Sequence, residues 1–199
     1  MRLVLASSNR GKLVELRDLL APAGFELIAQ SDLGVGDIEE TGASFIENAL
    51  LKARHAARAA GLAALADDSG LLVDALAGEP GLLSARYAGS HGDARANNAL
   101  LLERLRGLPD AQRGAHFHCV LVLLRSADDP QPLIAEGAWH GRILTTPRGA
   151  QGFGYDPVFF DPAHGMSAAE LDPELKNRIS HRARAIAILQ QRLAFAPRT

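Results

Sequence analysis

The stretch Ala66-Asp67-Asp68-Ser69-Gly70 is the centre around which we expect the chain to be organised, because the apolar run from Leu62 to Ala66 stops there at two adjacent carboxylates. The run has the length and polarity of a buried strand, although Ala and Leu also suit a helix. Polar residues at the carboxyl end of a buried strand line the crevice in which open α/β sheets bind ligands. Two carboxylates in such a crevice suit a hard divalent cation. Asp, Ser and Gly are also common in turns, so the stretch taken alone predicts a plain turn.

The N-terminal segment predicts a strand, a loop and a helix. Arg2–Ala6 is typical of a short buried strand, and Leu13, Leu16 and Leu20 recur at helical spacing. The loop between them offers helix-start amides, a glycine and two cations, which suits a phosphate, although a plain capped loop fits as well. Phe25–Ala29 predicts the next strand, which would run parallel to the first in a βαβ unit. The loop consists of Ser7, Ser8, Asn9, Arg10, Gly11 and Lys12.

An acidic loop precedes a long predicted helix. The loop, Asp37–Gly42, contains Glu40, and the pattern Ser44-x-x-Glu47 after it is a capping box. The helix should begin there and place Lys52 on its polar face. Such a face is usually solvated, but acidic residues before and after this helix make Lys52 a candidate phosphate ligand.

The second half of the chain predicts antiparallel strands and an aromatic loop. His116–Leu124 and Leu133–Trp139 indicate a hairpin, and Arg142–Thr145 indicates a third strand. The Gly149–Pro157 loop is rich in glycine and aromatic residues, so it fits either a base-stacking platform or a packed strand entry. The predicted fold class is therefore α/β, with a mixed, partly antiparallel central sheet flanked by helices. Two lobes with the active site between them would fit this class.

The composition indicates a folded globular protein with a single domain, residues 1–199. Hydrophobic residues make up 47% of the chain and charged residues 22%. With 21 basic and 23 acidic residues, the net charge of −2 gives no general attraction for nucleic acid. The single cysteine, Cys119, cannot form an internal disulfide, and no apolar run approaches the roughly 18 residues that span a membrane. We therefore expect a cytoplasmic protein that binds neither nucleic acid nor membrane.

Six spaced motifs, taken together, closely resemble one family over nearly the whole chain. That family is the inosine triphosphate pyrophosphatase family, whose bacterial members are called dITP/XTP pyrophosphatases. The motifs are Ser7-x-Asn9-x-x-Lys12, Glu40-Thr41-Gly42, Asn48-x-x-x-Lys52, Asp67-Asp68-Ser69-Gly70, Phe153-Gly154-Tyr155-Asp156-Pro157 and Ser180-His181-Arg182.

The resemblance implies a Mg²⁺-dependent homodimer that hydrolyses ITP, dITP and XTP to the monophosphate and pyrophosphate. It implies that Glu40 and Asp68 hold the metal, that Asp68 also accepts a proton, and that Lys52 contacts a phosphate oxygen. The implied substrate-binding residues are Ser7, Ser8, Asn9, Arg10, Gly11 and Lys12 for the triphosphate, Ser69, then Phe153, Gly154, Tyr155 and Asp156 for the base and sugar, and Lys176, His181 and Arg182 for the oxygens of the base.

Two other functions fit parts of the pattern. A Maf-type nucleotide pyrophosphatase has an early Ser-x-x-x-x-Arg loop that is only loosely similar to the loop of this chain, and Ser180-His181-Arg182 argues against it. A non-catalytic nucleotide sensor would need neither metal-binding carboxylates nor a proton acceptor. Tight triphosphate binding without turnover in the presence of Mg²⁺ would favour the sensor.

Overall fold

The computed structural model describes residues 2–195. The strands are β1 (Arg2–Ala6), β2 (Glu26–Ala29), β3 (Ala64–Val73), β4 (Gly114–Leu124), β5 (Leu133–Ile143), β6 (Phe159–Asp161) and β7 (Met166–Ser167). The helices are α1 (Arg10–Leu20), α2 (Phe45–Ala60), α3 (Ala94–Arg104), α4 (Pro173–Ile179) and α5 (His181–Phe195), with short 3-10 turns between elements. Within residues 2–195, every helix is too short or too polar to cross a bilayer.

The strands form one mixed sheet in the order β2-β1-β3-β4-β5-β6-β7. β1 runs parallel to both β2 and β3, with Ala6 opposite Ala66, while β5–β6 and β6–β7 are antiparallel pairs. The predicted α/β class with a partly antiparallel sheet is therefore confirmed. The predicted β1, α1 and α2 also match the structure.

The chain divides into two compact units. The first unit comprises the chain up to Asp68, Cys119–Gly137 and the chain from His181 onward. The second unit comprises Ser69–His118 and Ala138–Ser180. Three strands, β3, β4 and β5, contribute residues to both units. An active site between two lobes stays a prediction.

The first unit has two cores, which follow from the alternation of side chains along its strands. In β1, Leu3 and Leu5 pack in one core with leucines of α1 and α5, whereas Val4 and Ala6 pack in the other core with α2. From Leu3 to Ala6 both faces of β1 are buried, as expected for a strand between parallel neighbours with helices on both sides.

Alanines dominate the contact between α2 and the sheet. Ala49, Ala53, Ala56 and Ala57 of α2 are buried in the same core as Ala64 and Ala66 of β3. Small side chains on both surfaces let the helix backbone approach the strand closely. Lys52, on the same helix, is thereby held near β3.

The second unit is built around aromatic and leucine side chains. The ring centroids of Trp139 and Phe159 are 4.9 Å apart, and those of Phe117 and Phe159 are 4.6 Å apart. Leu101 and Leu105 of α3 are buried in the same core. Burying side chains of this size contributes roughly 1.5–3 kcal/mol each.

The prediction of separate strands at Leu133–Trp139 and Arg142–Thr145 was wrong, because β5 is continuous through Gly141. A Cβ atom at Gly141 would lie 2.3 Å from the carbonyl oxygen of Phe160. The glycine therefore permits a close approach of β6 and does not end the strand.

The prediction of a turn at Asp67–Gly70 was also wrong, because β3 continues to Val73. Leu71 and Val73 keep the strand in the core, and both carboxylates have cationic partners, so the strand continues past them. β1, however, ends at Ala6, opposite Ala66. Asp67 and Asp68 therefore still lie just beyond the carboxyl end of a parallel neighbour.

Candidate active site

Asp67 and Asp68 are buried neighbours on β3, and strand alternation directs them to opposite faces of the sheet. The side chain of Asp67 lies on the same face as that of Leu65, which is covered by α1 and α5. The side chain of Asp68 lies on the same face as that of Ala66, which is covered by α2. Each carboxylate consequently meets different cations. We call Lys12, Glu40, Lys52, Asp67, Asp68 and Arg182 the lysine–carboxylate cluster.

Asp67 accepts hydrogen bonds from side chains of three separate elements. Lys12 Nζ of α1 lies 2.6 Å from Oδ1, and Arg182 Nε of α5 lies 2.7 Å from Oδ2. The thiol of Cys119 on β4 lies 3.4 Å from Oδ2. Burial would raise the pKa of the Asp67 carboxyl, but Arg182 and Lys12 outweigh it and hold this pKa well below its usual range. Asp67 is therefore a permanent buried anion.

Asp68 and Glu40 converge on Lys52. Lys52 Nζ lies 2.7 Å from Asp68 Oδ1 and 2.8 Å from Glu40 Oε1, and it also donates to the carbonyl oxygen of Asp67 at 2.9 Å. Burial raises the pKa of Asp68, and the nearby cations offset only part of this effect. Burial opposes the charged form of Lys52, but Asp68 and Glu40 raise its pKa overall. The adjacent carboxyls thus have pKa values shifted in opposite directions, which is a common arrangement where one of them accepts a proton.

The loop from Ser7 to Lys12 begins α1 at the end of β1. The Asn9 side chain accepts a hydrogen bond from the Lys12 amide at 3.1 Å, so Asn9 is the N-cap of α1. The Ser7 hydroxyl oxygen accepts one from the Asn9 amide at 3.2 Å. Ser8 and Arg10 are exposed, and Gly11 is half-buried.

The loop that carries Glu40 is fixed to the start of α2. The amide of Gly42 donates to Asn48 Oδ1 at 2.8 Å, and a Cβ atom at Gly42 would lie 2.6 Å from the Cβ of Glu47. Ser44 is confirmed as the N-cap, since its Oγ accepts from the Glu47 amide, while the carboxylate of Glu47 accepts from the amide of Ala43 rather than from that of Ser44. These contacts place Glu40 beside Lys52.

A second group of predicted residues lies within the second unit; we call Phe153, Asp156 and Lys176 the aromatic-loop cluster. The buried Asp156 Oδ2 accepts from the Phe153 amide at 2.8 Å and from Lys176 Nζ at 2.7 Å. Lys176 Nζ also lies 5.2 Å from the centroid of the Phe153 ring. Lys176 is on α4, a helix that the sequence did not predict. The cluster presents a half-buried aromatic ring beside a buried ion pair.

Neighbouring elements hold the aromatic loop in place. Tyr155 is buried and donates its hydroxyl to the carbonyl oxygen of Ser84 at 3.0 Å. The Asn98 amide of α3 donates to the carbonyl oxygen of Gly154 at 3.0 Å. A Cβ atom at Gly152, which has a φ of 75°, would lie 2.0 Å from Asp156 Oδ2.

The other predicted residues belong to one unit or the other. Arg182 is in the first turn of α5 and also pairs with Glu15, which explains a cation at the positive end of a helix. His181 is buried at the start of the same helix. Ser69 is half-buried on β3 in the second unit. The sequence did not predict the roles of Glu15, which pairs with Arg182, or of Asn98, which holds Gly154. The only signal for either was that Glu15 lies one helical turn after Lys12, on the same face of α1.

The carboxylates of the first unit fit a magnesium ion. Mg²⁺ usually takes one or two carboxylates and keeps several waters. Among residues 2–195, no group of three or more His, Cys, Asp or Glu residues forms a ready-made metal site. Glu40 and Asp68, however, converge on one ammonium group, so they can hold a common cation.

A mixed sheet with lysines and carboxylates just beyond the carboxyl end of β1 places this chain among the α/β proteins that hold ligands at the ends of their parallel strands. A profile of the Ham1 family matches residues 3–192. The chain belongs to this family.

Similar proteins and structures cover nearly the whole chain. A dITP/XTP pyrophosphatase of Xanthomonas campestris pv. campestris is 63% identical over 191 residues, which is 96% of each chain. One of Pseudomonas aeruginosa is 59% identical over 98% of each chain. The structure of a HAM1 protein from Coxiella burnetii has a TM-score of 0.89 at 49% identity, covering 98% of this chain and 100% of its own. The family resemblance seen in the motifs is thus confirmed.

Proposed function

We propose that this protein is a dITP/XTP pyrophosphatase, which hydrolyses ITP, dITP and XTP to the monophosphate and pyrophosphate. The observation that carries the proposal is the lysine–carboxylate cluster, in which Lys12, Lys52, Glu40 and Asp68 lie beyond the end of β1. The names of similar proteins in Xanthomonas and Pseudomonas, dITP/XTP pyrophosphatase, support dITP and XTP as substrates. We propose that residues 1–199 act as one pyrophosphatase domain in a cytoplasmic homodimer.

Glu40 and Asp68 would hold Mg²⁺. When bound, the ion neutralises charge on phosphate oxygens. Asp68 is the proposed acceptor for the proton of the attacking water, because its carboxylate lies beyond the end of β1 beside Lys52, whose ammonium it shares with Glu40. Lys12 and Lys52 would stabilise the leaving pyrophosphate, together with Ser7, Asn9 and the amides at the start of α1.

The base and sugar would be recognised by Ser69, the loop from Phe153 to Asp156, Lys176, His181 and Arg182. The lysine, histidine and arginine offer donors, which suit the 6-oxo acceptor of hypoxanthine and xanthine. Adenine carries a donor at this position. Because mismatched polar groups lose solvation without gaining a partner, such a site rejects ATP.

The test is a panel of triphosphates with Mg²⁺, with pyrophosphate and phosphate measured separately. We expect dITP, ITP and XTP to give pyrophosphate, ATP to react poorly, and Asp68→Asn to lower kcat by at least about 100-fold. The exposed Asp18 on α1 provides a control, Asp18→Asn, that makes the same charge change.

Release of orthophosphate would place the attack at a different phosphorus and contradict the proposal. Tight dITP binding without turnover would instead identify a sensor. Circular dichroism of Asp68→Asn separates lost chemistry from lost structure.

A further inference from the structure

Lys52 uses all of its hydrogen-bonding capacity inside the protein. An ammonium group has three N–H donors. In this structure they meet three acceptors, Glu40 Oε1 at 2.8 Å, Asp68 Oδ1 at 2.7 Å and the carbonyl oxygen of Asp67 at 2.9 Å. Lys52 must therefore give up at least one of these acceptors before it can bind a phosphate oxygen.

The Lys52 ammonium occupies the position between Glu40 and Asp68 that a metal ion bound to both carboxylates would take. Its N–O distances to Glu40 and Asp68 make it the common cation of both carboxylates, whose side chains are only 26% and 9% exposed. A divalent ion bound to the same oxygens would sit against this positive charge, and the two cations would repel each other strongly in a partly buried site.

The choice of lysine also points to a movable group. The chain has 21 basic residues, but its only lysines are Lys12, Lys52 and Lys176. The guanidinium of arginine is the usual choice for a permanent buried pair, whereas lysine is a point charge on a flexible stem. The chain uses arginine in this way at Arg182, beside Asp67. At the Glu40–Asp68 pair it uses lysine instead.

We propose that Lys52 is an internal substitute for the metal ion. In the nucleotide-free protein its ammonium occupies the cation position between Glu40 and Asp68, so a divalent ion binds tightly only together with a triphosphate, whose oxygens give Lys52 new acceptors. This inference rests on the proposed function, because it assumes that these carboxylates bind the metal of a metal–nucleotide complex.

The test uses Mn²⁺ alone as the probe, with free Mn²⁺ measured by electron paramagnetic resonance in the absence of nucleotide. Lys52→Met keeps a straight side chain without charge, and we expect it to bind Mn²⁺ at least about tenfold more tightly than the wild type. Lys52→Arg keeps the charge and should bind as weakly as the wild type. The matched control is Arg58→Met, an exposed cation lost from the same helix, which should also bind as the wild type does.

Melting temperatures provide a second measurement that does not depend on activity. Removing Lys52 leaves two carboxylates without their shared cation, so Mn²⁺ should raise the melting temperature of Lys52→Met more than that of the wild type. If Lys52→Met does not fold, Lys52→Gln takes its place in both measurements.

Equal Mn²⁺ affinity of Lys52→Met and the wild type, in either the tight or the weak range, would overturn the inference. Turnover of dITP by the wild type is measured separately. If turnover is normal and the Mn²⁺ affinities are equal, the proposed function stands, and only the role of Lys52 as a substitute for the metal ion is ruled out. Absent turnover with the expected difference in affinity removes the proposed function and leaves Lys52 as the occupant of a metal site.

Discussion

At the scale of single residues, the two adjacent aspartates differ because they face different sides of β3. Asp67 meets Lys12 and Arg182, whereas Asp68 shares Lys52 with Glu40. The sequence predicted that both carboxylates matter, but it could not separate them. Their partners lie between 16 and 115 residues away in the chain, so only the folded sheet assigns them.

The low pKa of Asp67 predicts a pH-dependent contribution to stability. An unfolded aspartate has a pKa of about 3.9. Because Arg182 and Lys12 lower the folded value despite burial, the contribution is fully present above the unfolded pKa and is lost as the pH falls through the folded pKa. Urea unfolding between pH 6 and pH 3 should therefore show the wild type losing its advantage over Asp67→Asn below about pH 4.

The control for this experiment is Asp18→Asn, which removes an exposed carboxylate from α1. Its difference from the wild type should change little over the same pH range. A constant gap between the wild type and Asp67→Asn down to pH 3 would mean that Asp67 is not held as an anion.

Among the secondary-structure elements, some glycines end a turn, whereas others lie inside a strand where a neighbouring backbone approaches closely. Gly24 has a φ of 78° and ends the 3-10 turn Ala21–Ala23 that follows α1. Gly137 and Gly141 lie inside β5, where a Cβ atom would meet the backbone of α5 at 2.2 Å and that of β6 at 2.3 Å respectively. Sequence alone shows a glycine in each place, but it does not show which backbone approaches it.

Gly141→Ala should destabilise the protein by about 1–3 kcal/mol, since the added methyl group must push β5 away from Phe159 and Phe160. Gly36→Ala is the matched control, because nothing lies within 4 Å of a Cβ atom at Gly36. Guanidinium unfolding of both variants measures the difference. Equal midpoints for the two variants would contradict the close approach of β6.

In the molecule as a whole, local sequence patterns predicted several strands and helices, but they did not predict which side chains of remote elements contact one another. β1, α1, α2 and β4 follow from apolar periodicity and caps; the structure places β1 at its predicted bounds and begins β4 two residues earlier than predicted. The strand through Asp67 and Asp68 was missed because charge normally ends a buried strand, and the compensating cations come from helices remote in sequence. The helix α4 was missed because its seven residues are too few for a clear period.

The three lysines have one more consequence for the molecule as a whole. Lys12 lies in α1, Lys52 in α2 and Lys176 in α4, and each is paired with a carboxylate. A protease that cuts only after lysine needs an unwound, accessible backbone. The native protein should therefore resist such a protease, and each first cut should identify which helix has opened.

Mass spectrometry of the fragments gives the order in which α1, α2 and α4 open. A triphosphate that engages Lys12 and Lys52 should delay cutting after both of them, because a ligand that binds only the folded state lowers the population of opened forms. Rapid cutting of the native chain after Lys52 would contradict a tightly held α2. Limited proteolysis thus gives a readout of ligand engagement in this protein that requires neither a label nor turnover.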